Sequence, residues 1–389
     1  MRILHTADWH LGRTLEGRSR LKEQEAFLKE LCEIVVAEKV DVVLMAGDVF
    51  DTVNPPATAE QLFYESMAEL TKDHKCQVVI ISGNHDSPER LSASGPLAKM
   101  HGIRIVGHPT IRPIELEVER TGERLKIAGL PYPSESRLKE LLSDSFDEAA
   151  LRDAYDVRIE KIFQELCKGF DSSSVNVAMS HIYVAGGRES ESERPIQVGG
   201  AYTVTANALP PGAQYVALGH LHRPQTIKRA ESVTRYSGSP LSYSFSEAGQ
   251  TKSVTIVDLK PGSEPDWREV YLSSGKPLVR WKAEEGLSQV HRWLEEKKDS
   301  NAWIDLEVHL QDTLSMEEIH KLRNAHEGFI HIRPVFEEID SAIEGVRMSE
   351  LPIDELFSRF YKRQTNGGTP DDETVKLFME LIGENEGGA

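Results

Sequence analysis

The feature that most constrains this chain is an apolar run cut short by glycine and carboxylates: Val42-Val43-Leu44-Met45-Ala46, then Gly47-Asp48-Val49-Phe50-Asp51. A short, β-branched run that stops at a turn signal reads as a buried strand. Ligands of α/β folds sit at the C-terminal mouths of such strands, so Asp48 either serves a ligand or caps the next helix. The recurrence of the pattern decides between these. Residues 2–6 run into Asp8-Trp9-His10, and residues 77–81 into Gly83-Asn84-His85-Asp86. Residues 175–179 lead to Ser180-His181, and residues 215–218 to Gly219-His220-Leu221-His222. Capping explains one such ending and is strained as an explanation of five.

Between these runs lie helical stretches, which makes the order βαβ and the class α/β. Residues 23–39 place Phe27, Leu31, Ile34 and Val35 on one face. Residues 57–72 follow Pro55-Pro56 and carry Leu62, Phe63, Met67 and Leu70. A short helix at 89–100 leads to strands at 103–106 and 126–129, and residues 134–168 read as helical and polar. Residues 186–195 form a charged loop that reads as solvated surface. A strand at 253–258 and the turn Pro261-Gly262 close the large domain, and Gly275-Lys276-Pro277 marks its end. Strand, helix, strand, helix, strand then follow at 278–282, 288–296, 303–310, 316–325 and 329–335, a small α+β module with Trp281 and Trp303 as its expected core. Two amphipathic helices, 351–363 and 371–382, flank Asn366-Gly367-Gly368. The expected domains are 1–275, 276–340 and 341–389.

The net charge of −18 weighs against a broad phosphate-binding face, yet a carboxylate cluster that holds divalent cations gives it another meaning. Much of the acid lies in the last third, as in Glu337-Glu338 and Asp371-Asp372-Glu373. No apolar run approaches the roughly 20 residues that cross a bilayer. The first residues turn polar at once, and Cys32, Cys76 and Cys167 form no CxxC pair. A cytoplasmic protein with reduced cysteines and no membrane partner is expected.

The strand ends offer Asp8, His10, Asp48, Asn84, His181, His220 and His222, with His85 adjacent. Asp8 and His10, like His220 and His222, are two apart, so in an extended segment both side chains point the same way. Seven ligands exceed one octahedral ion and suit two, with Asp48 able to bridge. Two divalent ions roughly 3.5–4 Å apart suit hydrolysis of phosphate esters, because they activate water and neutralise phosphoryl charge. A set of carboxylate, amide and imidazole groups without thiolate favours Mn²⁺ over structural zinc.

In this order and spacing, Asp8-x-His10, Gly47-Asp48-x-x-Asp51, Gly83-Asn84-His85-Asp86, His181 and Gly219-His220-x-His222 resemble the signature of calcineurin-like metallophosphoesterases. Val49-Phe50-Asp51 and the Tyr236-x-Gly-Ser-Pro240 segment make the chain similar to the DNA-repair nucleases of that family. The resemblance implies two stacked β-sheets flanked by helices, a cap module for DNA and C-terminal helices that dock on a coiled-coil ATPase. It implies one Mn²⁺ at Asp8, His10, Asp48 and His222, and a second at Asp48, Asn84, His181 and His220. His85 is then the general acid, with Asp51 orienting it. A homodimer through the helices after Asp51 and Asp86 is implied as well, and a heterotetramer with the ATPase. The expected activity is that of an exonuclease on double-stranded DNA and an endonuclease on single strands and hairpins. A small-molecule phosphodiesterase or phosphatase with the same site is the alternative enzyme, and a metal-free scaffold the alternative outside catalysis. Arg13, Arg18 and Arg188 stand near the motifs as candidates for phosphate contact.

Overall fold

Strands that are apolar at every position must be covered on both faces, and two sheets with outer helices achieve this. In the computed structural model, which describes residues 1–72, 76–145, 154–194, 202–310, 314–336, 351–364 and 369–385, the strands Arg2–Thr6, Val42–Ala46, Gln77–Ile81 and Ile103–Val106 run parallel. Ser253–Asp258 and Asp266–Tyr271 extend the Arg2 edge antiparallel to complete six strands. The second six-stranded sheet is ordered Gln225–Thr226, Val233–Tyr236, Tyr215–Gly219, Val175–His181, Glu123–Leu130, Ile114–Val118.

Alternate residues of one strand serve two cores. Ile3, Val42, Leu44, Val79 and Ile81 face the second sheet and meet Ile127, Val177, Met179 and Ala217. Leu4, Val43, Met45, Val78 and Ile80 face outward, under Phe27, Leu31, Phe63 and Met67 of the helices Leu21–Glu38 and Ala57–Leu70. The helix Tyr155–Leu166 covers the second sheet with Ile159, Ile162 and Phe163. Two stacked sheets flanked by helices are thus the architecture expected. All five metal-type endings leave strands that are central in these sheets.

The structure differs from expectation in local ways. The helix at 89–100 is two, Pro88–Ser92 and Gly95–Met100, because Gly95-Pro96 restarts it. Residues 134–168 contain the helices Glu135–Ser145 and Tyr155–Leu166. The strands Ile114–Val118, Val233–Tyr236 and Asp266–Tyr271 escaped sequence reading because none is a run of uninterrupted apolar residues.

The chain divides into two compact units, Met1–Val335 and Phe336–Ala389. Within the first, Leu278–Ala283, Trp303–Leu310 and Phe329–Phe336 form a three-stranded sheet with the helices Leu287–Glu295 and Met316–Ala325. Trp281 is at its core with Val290, Ile304, Leu306, Leu322 and Phe329. Trp303 is not part of that core. It packs with Leu15, Leu278 and Ile330, and its indole N–H donates to Glu23 at 2.9 Å. Glu23 also pairs with the buried Arg20 and accepts from the Lys276 amide, so one carboxylate ties the module to the first helix. In the second unit the helices Ile353–Gln364 and Asp372–Asn385 meet through stacked rings of Phe357 and Phe378, 3.8 Å apart. The expected boundary at 340, with Glu337-Glu338, lies outside the described residues, as do Asn366-Gly367-Gly368 and Pro195.

Candidate metal centre

The five strand ends converge. Asp8, His10 and His222 bring ligand atoms within 4.8 Å of one another, and so do Asp8, Asp48 and His181. His10 Nε2 lies 3.1 Å from His222 Nε2 and 3.7 Å from Asp48 Oδ2. His181 Nε2 lies 3.4 Å from the same Asp48 oxygen and 2.8 Å from Asn84 Oδ1. The rings of His181 and His220 are edge to face at 5.4 Å. Asp8 and Asp48 therefore stand between two groups of imidazoles. A third grouping, His10, Asp51 and His85, opens toward solvent.

The backbone reaches these positions by unusual conformations. Asp8, His10, Asp48 and His220 have φ of 55°, 45°, 52° and 108°. Non-glycine residues rarely adopt positive φ, and such residues cluster at functional sites. The extended i, i+2 geometry expected for Asp8/His10 is therefore not what aligns them: main-chain bonds from the Asp8 and His10 amides to the Gly47 and Asp48 carbonyls do. His220 and His222 do not share a side either, since His220 stands beside His181 and His222 beside His10.

Close approach explains the glycines. A Cβ on Gly219 would sit 1.9 Å from the Ala46 carbonyl oxygen, one on Gly83 2.0 Å from Asp48 Oδ1, and one on Gly47 2.4 Å from His181 Nδ1. Asp86 binds the two loops together by accepting from the amides of Val49, Phe50 and Gly83. The His85 amide donates to Asp48 Oδ1 at 2.8 Å.

His181 and His85 are oriented through their Nδ1 nitrogens. His181 Nδ1–H donates to the Ala46 carbonyl at 2.9 Å, which aims Nε2 at Asp48 and Asn84. His85 Nδ1–H donates to the Asp51 carbonyl at 2.7 Å. The Asp51 carboxylate, expected to orient His85, lies 3.9 Å from it and closer to His10 Nδ1, at 3.4 Å. Asp51 thus holds His85 by its main chain, while its charge faces His10 and Arg13. Arg13 is turned inward, over the Tyr243 ring and onto the Ser192 carbonyl, whereas Arg18 and Arg188 are exposed.

Burial dominates the electrostatics and splits the carboxylates. It pushes Asp8 well above the usual carboxylate range, with His181 offsetting only part. Asp48 feels the same burial, but the imidazoles of His181, His10 and His85 outweigh it and hold Asp48 well below that range. Burial likewise lowers His10 to about 3 and keeps His220 and His222 neutral. His181 is the exception: against burial, the Asp48 carboxylate raises it to about 9.

The residues fit a bound cation. Among the described residues, His220 Nε2 is buried with no hydrogen-bond partner, and four imidazoles, two carboxylates and an amide oxygen form a donor set without sulfur. Residues 1–224 match the calcineurin-like phosphoesterase family, and residues 274–365 match the type 5 capsule protein repressor C-terminal domain. Over 98% of its length the chain is 61% identical to the SbcD subunit of the SbcCD nuclease of Bacillus subtilis strain 168, covering 97% of that relative. The chain belongs to the calcineurin-like phosphoesterases. Two further SbcD relatives agree. The Rhodobacter capsulatus protein is 37% identical over 73% of this chain and 72% of its own length. The Escherichia coli K12 protein is 28% identical over 99% and 100%. As a calcineurin-like phosphoesterase of the SbcD branch, the chain is a metal-dependent nuclease that hydrolyses phosphodiester bonds.

Sequence reading missed part of this phosphoesterase centre. Ser192 and Glu193, assigned to a solvated loop, are buried against His222. Glu247, fully buried and paired with Lys252, stands behind them. Asp86 carried a signal, its place in Gly83-Asn84-His85-Asp86, but that motif does not reveal which amides it binds.

Proposed function

We propose that the chain is the nuclease subunit of a cytoplasmic DNA-repair and recombination complex. It cuts double-stranded DNA as a Mn²⁺-dependent exonuclease and single strands or hairpins as an endonuclease. The observation that carries this reading is the pair of buried carboxylates, Asp8 and Asp48, between two groups of imidazoles. Asp8, His10, Asp48 and His222 would hold one ion, and Asp48, Asn84, His181 and His220 the other. When bound, the ions lower the pKa of water and offset charge on the phosphoryl oxygens. His85, half-buried and pinned at Nδ1 by the Asp51 carbonyl, presents Nε2 to give a proton to the leaving oxygen. Asp51 lends charge beside His10 and Arg13.

Several surfaces support the assembly. The SbcCD relatives are named as subunits of a complex, and a coiled-coil ATPase of the SbcC type is the partner proposed for this chain. The tail helices expose Phe360, Leu377 and Leu381, which suit docking on that ATPase. A groove of about 590 Å³ between Phe63, Met67 and Ile103, rimmed by exposed Tyr64, Leu97 and nearby Met100, suits a homodimer. The module after Leu278 would grip duplex DNA, and the dimer with two ATPase chains would make a heterotetramer.

The test separates ion loading from turnover. The native chain should carry two Mn²⁺ and degrade labelled linear duplex. Asp48→Ala should lose both ions, and His85→Gln should keep both while losing about 100-fold or more of its activity, within the range of general acid catalysis. Two ions in Asp48→Ala, or near-normal cleavage by His85→Gln, would overturn the corresponding role.

A further inference from the structure

Most of the charged loop after Gly186 is exposed, including Arg188, Glu189, Glu191 and Arg194, yet Ser192 and Glu193 are only 5% and 8% exposed. Both are turned onto one residue. Ser192 Oγ lies 2.6 Å from His222 Nδ1, and the Glu193 carboxylate accepts from the His222 amide at 2.8 Å. Ser192 has one proton, and its strongest acceptor is Glu247, 2.5 Å away and itself paired with Lys252. With that proton committed, Ser192 can only accept from His222, so the imidazole carries its own proton on Nδ1. Nε2 is then bare, facing His10 Nε2. Lys252 closes the ring by donating to the His222 carbonyl.

Among the described residues, none besides Ser192 is bonded to His222 Nδ1. Glu247 is 3.7 Å from His222 Nδ1, beyond a hydrogen bond, so it reaches the imidazole only through Ser192. The loop is fastened on its approach to the contact and at Ser192 itself. The Arg188 amide and carbonyl exchange bonds with the Gln225 side chain, the Glu191 amide donates to Ser246, and Arg13 donates to the Ser192 carbonyl.

We propose that Ser192 and Glu193 are positioning residues for His222, and that their loop is a strap whose closure sets ion affinity at the Asp8–His10–His222 position and not at the other. This rests on the reading above that His222 is an ion ligand. Outer partners of metal-bound histidines commonly change affinity 10- to 100-fold. Calorimetric Mn²⁺ titration of the full chain, with folding checked by circular dichroism, tests the strap. Ser192→Ala should weaken one of the two ions roughly 10- to 100-fold and leave the second unchanged. Ser192→Thr, which keeps the hydroxyl, should restore most of the affinity. Mn²⁺ should also slow tryptic cleavage after Arg188 in the native chain and not in Ser192→Ala. Equal affinities for both ions in native chain, Ser192→Ala and Glu193→Gln would overturn the strap. His222→Ala separates the two failures: if it loses an ion while Ser192→Ala does not, only the strap is wrong, and if it keeps both ions, the ligand reading falls and the strap with it.

Discussion

The two groups of imidazoles are built differently. On the His181 side the main chain does the holding: the Ala46 carbonyl orients the ring, and Gly47 and Gly219 admit it only because they lack a side chain. On the His10–His222 side the supports are side chains from distant loops, namely Asp51, Ser192 and Tyr243, whose ring meets both imidazoles edge to face. A position framed by strand backbone can only be kept or lost. One framed by loop side chains can be graded. The same centre thus joins a fixed half to an adjustable half through Asp8 and Asp48.

The largest effect should come from breaking the fixed half. Gly219→Ala sets a methyl group against the Ala46 carbonyl and the His181 ring, neither of which can retreat without parting the strands. A stability loss of about 3 kcal/mol is expected, near the top of the usual range for overpacking, with loss of one bound ion. Denaturant midpoints and Mn²⁺ content measure both. A stable variant with two ions would erase the distinction between the halves.

Proton release sharpens it next. Below about pH 9 the ion-free His181 holds a proton that Asp48 favours, and a cation at that position must displace it. His10, lowered by burial to about 3, has none to displace at neutral pH. Affinity at the His181 position should therefore rise with pH between 6 and 8, by at most about tenfold per unit. Calorimetry in buffers of different ionisation heat reads the proton directly. Absence of proton release at the His181 position contradicts the assignment.

The smallest effect belongs to the adjustable half. Asp51→Asn keeps the carbonyl that orients His85 and removes the charge beside His10 and Arg13. Ion affinity at the His10 position should fall by about 1 kcal/mol, roughly fivefold, while kcat on a saturated enzyme changes little. A collapse of kcat instead would mean that the carboxylate acts on His85 after all.

The fixed half was the legible one. Its ligands follow apolar strands directly, so local pattern placed Asp48, Asn84 and His181 at strand mouths, whereas the two stacked sheets came from the family resemblance. The supports of the other half come from residues 30 or more positions away in the chain, as Ser192 does for His222 and Asp51 for His10. No periodicity links such pairs, and a loop rich in serine and glutamate looks the same whether its hydroxyls meet water or an imidazole. Backbone strain was invisible for a related reason. Positive φ at Asp8 and His10 is imposed by the neighbouring Gly47–Asp48 segment rather than by their own preferences. Trp303 was misplaced because an indole serves one core as well as another until its N–H finds Glu23.

That glutamate gives the first turn of the Leu21–Glu38 helix an unusual mutational standing. Glu23 neutralises a buried arginine and anchors the module, while its neighbour Gln24 donates to the His10 carbonyl and accepts from the Gly12 amide. Two adjacent side chains, neither of which touches a reacting atom, answer for separate parts of the molecule. Sequence drift that passes easily through the exposed face of this helix meets a wall at 23 and 24, where any exchange must satisfy two distant constraints at once.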